Sequence, residues 1–300
     1  MGRKRVFAAA SAVLLAFGAG TALYAVTNVL REDHTPPVIT LEQEVMERSV
    51  EDPQERLLEG VRAMDDRDGD VSGQLVVERV GNITPEHTAT VTYAAFDRSG
   101  NVAKATAEVH YSDYRSPRFG QRGALVMPEG GSQDVLGYMS AVDVVDGDIS
   151  DHIKGNLTSD TVSLSKAGAH EVEFRVTNSM GDTARITLPV DVYPTNAFNA
   201  EVQLSEYLVY VPQNAPFRGE AYLSSLNVGS MRYSLTGSDP DTEIFINRPG
   251  TGKAIHEIRV DMNENVNTAV PGNYSVTYTV TMNDQYTGFT RLNVIVEAAE

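Results

Sequence analysis

The chain of 300 residues contains no cysteine and no tryptophan. Without cysteine there can be no disulfide scaffold, thiolate metal site, cysteine nucleophile or acylated cysteine anchor. Exported eukaryotic chains of this length ordinarily carry disulfides, so their absence points toward a bacterial source. Without tryptophan, a sugar-stacking face would have to rest on the 13 tyrosines. Positive charge is also scarce. Against 41 Asp and Glu stand only 24 Lys and Arg, a formal net charge of −17. That field repels phosphate backbones and argues against a nucleic-acid partner, while it suits contact with divalent cations. Catalytic signatures are missing too. Gly130-Gly131-Ser132-Gln133-Asp134 lacks the Gly-x-Ser-x-Gly spacing of a hydrolase elbow. Pro249-Gly250-Thr251-Gly252-Lys253 is followed by Ala254, and Asn247 stands where a phosphate loop needs glycine, so a polar hairpin turn is expected there. His34, His87, His110, His152, His170 and His256 fall in no zinc-like spacing. The expectation is a protein that is not an enzyme.

One long uncharged run is present, the 25 residues from Val6 to Leu30. A helix of roughly 20 apolar residues spans a bilayer core. Arg3-Lys4-Arg5 precedes the run and Arg31-Glu32-Asp33 follows it, so the positive-inside rule leaves residues 1–5 as a cytoplasmic tail. Residues 6–30 are then a transmembrane anchor or a signal peptide, with Gly20-Thr21-Ala22 offering a cleavage site after Ala22. The expected localisation is a single-pass cell-membrane protein with its amino terminus inside and an extracellular remainder, secreted if cleaved. The membrane itself is an expected partner.

Beyond that run the chain repeats itself. Ala63-Met64-Asp65-Asp66-Arg67-Asp68-Gly69-Asp70-Val71-Ser72 recurs 78 positions later as Ala141-Val142-Asp143-Val144-Val145-Asp146-Gly147-Asp148-Ile149-Ser150. Val91, Tyr93 and Ala95 recur 81 positions later as Val172, Phe174 and Val176. Polar and apolar residues alternate through Glu171–Val176 and again at Ile186, Leu188 and Val190, the pattern of a half-buried hairpin. Asn178, Gly181 and Asp182 supply its turn. A third unit shows the same alternation through Tyr274–Val280 and at Leu292, Val294 and Val296, but lacks the Asp-Gly-Asp element, so it is a divergent copy or a different sandwich. A short helix is expected between Pro53 and Gly60, with Asp52 as its cap and Glu55 completing a capping box. The expected fold class is all-β, tandem β-sandwiches after one amino-terminal transmembrane helix, with boundaries at 36–113, 117–193 and 198–298.

The element Asp-x-x-Asp-Gly-Asp-[Val/Ile]-Ser, an alternating aromatic strand, and Asp97-Arg98-Ser99-Gly100-Asn101 with Val102-Ala103 after it resemble the bacterial immunoglobulin-like domain of the pesticidal-crystal-protein type. The likeness covers about residues 36–193 and is fullest in the first unit; the second reads Thr177-Asn178-Ser179-Met180-Gly181-Asp182 instead. It implies tandem β-sandwiches on secreted or surface proteins, and no reaction.

The acidic loops are the candidate site. Asp66, Asp68 and Asp70, with Asp146 and Asp148 in the second unit, are oxygen ligands that could hold Ca²⁺. Gly falls at the fourth place counted from Asp66 and Val77 at the twelfth, so the helix–loop–helix calcium motif is absent. The competing account is a turn whose aspartates accept backbone N–H bonds around a left-handed glycine. Tyr207, Tyr210, Tyr222 and Tyr233 form either a ligand face or the rim of a core. The functional expectation is a non-catalytic surface protein whose Ig-like domains bind a protein or glycan, by adhesion to an envelope or host partner. The alternatives are a spacer in an envelope assembly or an accessory part of a secreted enzyme. Binding is expected in the third unit, whose extra length supplies loops.

Overall fold

The alternating segments form strands in a computed structural model of the chain, which describes residues 33–130, 134–156, 166–236 and 241–299. The described chain divides into two compact units, one ending at Tyr114 and one beginning at Arg115. The first contains β1 (Val38–Leu41), β2 (Val45–Arg48), β3 (Val61–Asp65), β4 (Gly69–Asp70), β5 (Leu75–Val80), β6 (Thr88–Phe96) and β7 (Val102–Tyr111). One sheet joins β1, β3 and β4, the other β2, β7, β6 and β5 in that order. The chain therefore starts in one sheet and crosses to the other, where β2 runs parallel to β7. Side chains on a strand alternate between faces. In β6, accordingly, Val91, Tyr93 and Ala95 are fully buried while Thr90 and Phe96 are exposed.

The second unit repeats this plan twice. Its first sandwich has β8 (Arg118–Gln121), β9 (Val126–Pro128), β10 (Met139–Asp143), β11 (Gly147–Asp148), β12 (Lys154–Gly155), β13 (Gly168–Thr177) and β14 (Thr183–Tyr193). The sheets are β8–β10–β11 and β9–β14–β13–β12, with β9 parallel to β14. Its other sandwich has β15 (Glu201–Leu204), β16 (Leu208–Pro212), β17 (Leu223–Val228), β18 (Met231–Ser234), β19 (Thr242–Ile246), β20 (His256–Glu264), β21 (Gly272–Met282) and β22 (Tyr286–Glu297). There the sheets are β15–β17–β18 and β16–β22–β21–β20–β19, again with the sheet-switching strand, β16, parallel to the last. The third sandwich thus keeps the strand plan of the other two, with β19 added at one edge, although its sequence has lost their turn element.

Two local expectations are corrected. The segment before Gly60 is a 3₁₀ turn, Gln54–Leu58, with Pro53 at its cap and no side-chain capping bond. Asp52 instead accepts the Ser49 N–H at 3.2 Å and pairs with Arg56 at 3.0 Å. Five residues leave little room for i→i−4 bonding, and Leu57 pins the turn to the core. The loop at Pro249–Lys253 is no hairpin either. β19 and β20 are parallel, with Thr242 opposite His256, so the loop must carry the chain back along the strand.

The single-pass localisation is also corrected. Among the described residues no helix is long and apolar enough to cross a membrane, and the helical turns are all 3₁₀. Their apolar residues occur at period two in short strands, so no bilayer-length apolar run arises. The anchor and signal-peptide readings of residues 6–30, and the tail of residues 1–5, lie outside the described residues. A membrane partner has no support among the described residues.

Candidate functional site

The repeated acidic element is first of all a turn, built the same way twice. In the first unit Asp65 Oδ1 accepts the N–H groups of Arg67 at 2.9 Å and Asp68 at 2.8 Å. Gly69 follows at φ +75°, where a side chain would be strained. Asp70 then accepts the Ser72 N–H at 2.9 Å, and Ser72 Oγ accepts the Ala63 N–H at 3.0 Å. Asp68 reaches out of the turn to accept the Arg98 N–H at 2.7 Å, fastening it to the β6–β7 hairpin. In the second unit Asp143 serves Val145 and Asp146 at 2.9 Å each, Gly147 lies at φ +72°, and Asp148 serves Ser150. Asp146 takes both the N–H and the hydroxyl of Ser179 at 2.6 Å. Four of the carboxylates proposed as ligands, Asp68, Asp70, Asp146 and Asp148, are thus engaged by the turns and the hairpins beside them. Bonds from the Ser72 hydroxyl and N–H hold the Asp70 carboxyl below the usual carboxylate range, and bonds from the Ser150 hydroxyl and N–H do the same for Asp148.

Among the described residues, only the first unit adds a cluster to this turn. Asp33, Asp65 and Asp66 offer carboxylate oxygens within 4.8 Å of one another, and so do Asp65, Asp68 and Asp97. Asp33, Asp65 and Asp97 are 8%, 6% and 4% exposed. Asn101 Nδ2 draws the two groups together, donating to Asp97 Oδ2 at 2.6 Å and to the Asp33 carbonyl at 3.0 Å. Burial works to raise the Asp97 carboxyl, but bonds from the Asn101 amide and from the N–H groups of Asn101, Gly100 and Ser99 outweigh it and hold it low. Asp33 Oδ2 and Asp65 Oδ2 are buried without a hydrogen-bond partner. Of the residues proposed from sequence, Asp66 and Asp68 fall in these groups. Asp70, Asp146 and Asp148 belong to no such group among the described residues. Asp33 and Asp97 were not anticipated as ligands. Asp97 had a signal, as the first residue of the hairpin-turn motif, whereas Asp33 had none.

The second candidate surface is the seam between the sandwiches of the second unit. Arg291 grips Asp191 with both prongs of its guanidinium, Nε to Oδ2 at 2.6 Å and Nη2 to Oδ1 at 2.7 Å. The Arg291 Nη1 also donates to Ser275 Oγ at 2.9 Å. Asn293 donates to Gln121 at 2.9 Å, and the Tyr210 hydroxyl to the Phe119 carbonyl at 2.9 Å beneath the Arg118 guanidinium, which lies 3.9 Å over its ring. Leu208 joins the apolar core of the β8–β14 sandwich, and Tyr210 and Ile295 pack against it. A groove of about 230 Å³ along the seam is lined by Glu171, Thr187, Asn265, Asn273, Tyr274 and Arg291, among others. The tyrosines singled out from the sequence are all used within the fold. Tyr207 accepts the Leu204 N–H at 3.4 Å, Tyr222 stacks on Phe217 and Tyr233 leans on His256.

No family model matches the chain. It is 31% identical over 155 residues to an uncharacterized 81.3 kDa protein of Acholeplasma phage L2, a match covering 51% of this chain and 20% of that protein. The chain therefore spans about a fifth of that relative's length. Solved structures that overlay on it include the CBM51-2 and INT domains of Clostridium perfringens ZmpB in complex with GlcNAc, at 13% identity and TM-score 0.22, over 56% of this chain and 31% of that one. The extracellular domain of protocadherin gamma B4 overlays at 10% identity and TM-score 0.20, over 89% of this chain and 50% of that one. Scores this low carry no argument about kinship or function. The fold stands on its own sheet topology.

Proposed function

We propose that the chain is a non-catalytic binding module whose paired sandwiches, residues 115–299, present a protein or glycan ligand site along their seam. The observation that carries this reading is the groove, lined by Asn265, Asn273, Glu171, Arg291 and Tyr274 from both sandwiches. Amides, a carboxylate and a guanidinium around one aromatic ring are the groups that bond hydroxyls and peptide edges. The groove sits on rigid strands, which favours a pre-formed site. A second reading, a spacer, is favoured by the seam itself, whose bidentate ion pair and shared core suit a stiff arm.

The test is a glycan array and a protein pull-down with the full chain, compared with Asn273→Ala and Glu171→Ala. A ligand bound by the wild type and lost from both variants, with folding unchanged, supports the groove. A ligand retained by both places binding elsewhere, and no ligand at all leaves the spacer. Point substitutions are preferable to removing residues 199–300, because that deletion would strip Leu208, Tyr210 and Ile295 from the core of the preceding sandwich.

A further inference from the structure

We infer that the first sandwich, and not the second, binds one divalent cation, Ca²⁺ by its chemistry, at Asp65, which two overlapping acidic groups share, Asp33 and Asp66 on one side and Asp68 and Asp97 on the other. This stands independently of the ligand groove. Two observations carry it beyond a crowd of acids. Asp33 and Asp65 are each more than nine-tenths buried, and each keeps one carboxylate oxygen with no hydrogen-bond partner. Buried polar atoms are ordinarily satisfied, because leaving one bare costs its full desolvation. The positive charges nearby are turned to other oxygens. Arg67 Nε lies 3.9 Å from Asp33 Oδ1, not Oδ2, and Arg98 Nη1 lies 3.7 Å from Asp68 Oδ1.

The repeat supplies the second observation as a natural control. Asp97 corresponds to Asn178, and Asn101 to Asp182, so acid and amide have changed places. The backbone of the turn is unchanged by the exchange, since Asn101 N donates to Asp97 Oδ1 at 2.8 Å and Asp182 N to Asn178 Oδ1 at 2.9 Å. What changes is the buried carboxylate behind it. In the second sandwich Asn178 Nδ2 donates to Asp143 Oδ2 at 3.0 Å. In the first, the equivalent oxygen, Asp65 Oδ2, faces a second carboxylate and is left bare. The counterpart of Asp33 is diverted as well. Asp113, five residues before β8 as Asp33 is five before β1, accepts the Ser49 hydroxyl at 2.5 Å and the Val50 N–H at 3.0 Å. An amide closes the second pocket, and a cation would close the first.

The ligands select the ion. They are all oxygens, with no imidazole or thiolate in either group, which disfavours zinc. Ca²⁺ takes oxygens at roughly 2.3–2.6 Å, so opposite ligands stand up to about 5 Å apart, and Mg²⁺ requires a tighter octahedron. Oxygens lying within 4.8 Å of one another are within the span of a Ca²⁺ shell. Binding would tie residues 33–35, already held by Asn101, to the turns that follow β3 and β6.

The test is calorimetric titration of the full chain with Ca²⁺ and, separately, Mg²⁺ after chelator treatment, alongside thermal melting with Ca²⁺ or with EDTA. One saturable Ca²⁺ site is expected, with Kd of order 10⁻⁶–10⁻³ M. Asp97→Asn should fold, since Asn178 fills the same place, and should bind Ca²⁺ at least about tenfold more weakly, since affinity follows the ligands' charge count. Ca²⁺ should also raise the melting temperature of the wild type, and raise that of Asp97→Asn by less. Asp33→Asn should weaken binding likewise, and Asp70→Asn should not. The inference is overturned if the wild type takes up no Ca²⁺ saturably. It is equally overturned if Asp97→Asn and Asp33→Asn both bind as wild type does, or if Asp70→Asn loses as much affinity as they do.

Discussion

Arg291 offers the sharpest perturbation of the two-sandwich body. It sits on β22, opposite Thr277 of β21, and reaches across the seam to Asp191 on β14. The side chains of Arg291 and Asp191 are only 16% and 13% exposed. Exposed ion pairs are worth about 0.2–1 kcal/mol, while stripping one partner from a buried pair costs about 3–5 kcal/mol. A bidentate pair this well shielded belongs near the lower end of the second range. Arg291→Met keeps the apolar stem and removes the fork, leaving the Asp191 carboxylate without its partner and Ser275 Oγ without its donor. The expected loss is about 3 kcal/mol in the unfolding transition of residues 115–299. The chain has no tryptophan, so the assay is urea unfolding followed by circular dichroism in the far-ultraviolet and tyrosine regions. Asp191→Leu alone should cost a similar amount by stranding the guanidinium. The double variant should lie within about 1 kcal/mol of wild type, because neither charge is then stranded. A loss below about 0.5 kcal/mol in Arg291→Met, or a double variant whose cost equals the sum of the singles, would refute the picture of a shielded, mutually dependent pair.

Two further outcomes follow from buried hydroxyls and depressed carboxyls. Tyr93 and Tyr278 are fully buried and donate to the carbonyls of Leu57 and Gly219, each at 2.7 Å. Tyr93→Phe and Tyr278→Phe should therefore each cost about 1–2 kcal/mol in chemical unfolding, while a cost near zero would mean that the carbonyl finds another donor. The carboxyls of Asp70, Asp113 and Asp148, bonded by Ser72, Ser49 and Ser150, and that of Asp97 all titrate below the 3.8 of a free aspartate. A group whose folded pKa is lowered adds stability that is full above its unfolded pKa and is lost as pH falls through its folded one. The melting temperature in EDTA should thus hold level from pH 7 to about 5 and drop below about 4, and a drop already complete by pH 5 would assign the acid lability to other groups.

The strands were legible because burial on one face writes a period of two into β6, β13, β21 and their partners. The turns were legible because Asp-Gly-Asp is local chemistry: Asp65, Gly69, Asp70 and Ser72 do their work within eight positions of one another. The sheet-switching strands were not. β2, β9 and β16 are three to five residues long and pair with a strand at the far end of their own sandwich, so no local pattern marks them. β19 escaped for a related reason, since its parallel partner β20 makes the intervening Pro-Gly loop look like an ordinary hairpin turn. The seam was hidden entirely. Asp191 and Arg291 are a hundred positions apart, and each alone reads as a solvated charge on a strand.

The acidic site was half legible, and the missing half decides its meaning. The crowd of aspartates from Asp65 to Asp70 draws the eye to the turn, yet Asp70 and its counterpart Asp148 are spent on serines. The residues that leave charge uncompensated lie elsewhere, at Asp33 before the first strand and at Asp97 across the sandwich. Counting acids in the hairpin turns could not have separated the two repeats, because each holds one acid and one amide: Asp97 with Asn101, Asn178 with Asp182. Their order is what matters. With the amide first, its N–H reaches the buried Asp143 and the pocket is neutral. With the acid first, Asp65 confronts another carboxylate, and the amide at Asn101 turns outward to hold the Asp33 backbone instead. A two-position exchange that conserves composition, net charge and turn geometry thus converts a closed polar core into an open ligand set. For that reason Asp97→Asn, a change of one oxygen to one nitrogen, separates a structural turn from a cation site more cleanly than removal of any aspartate in the motif itself.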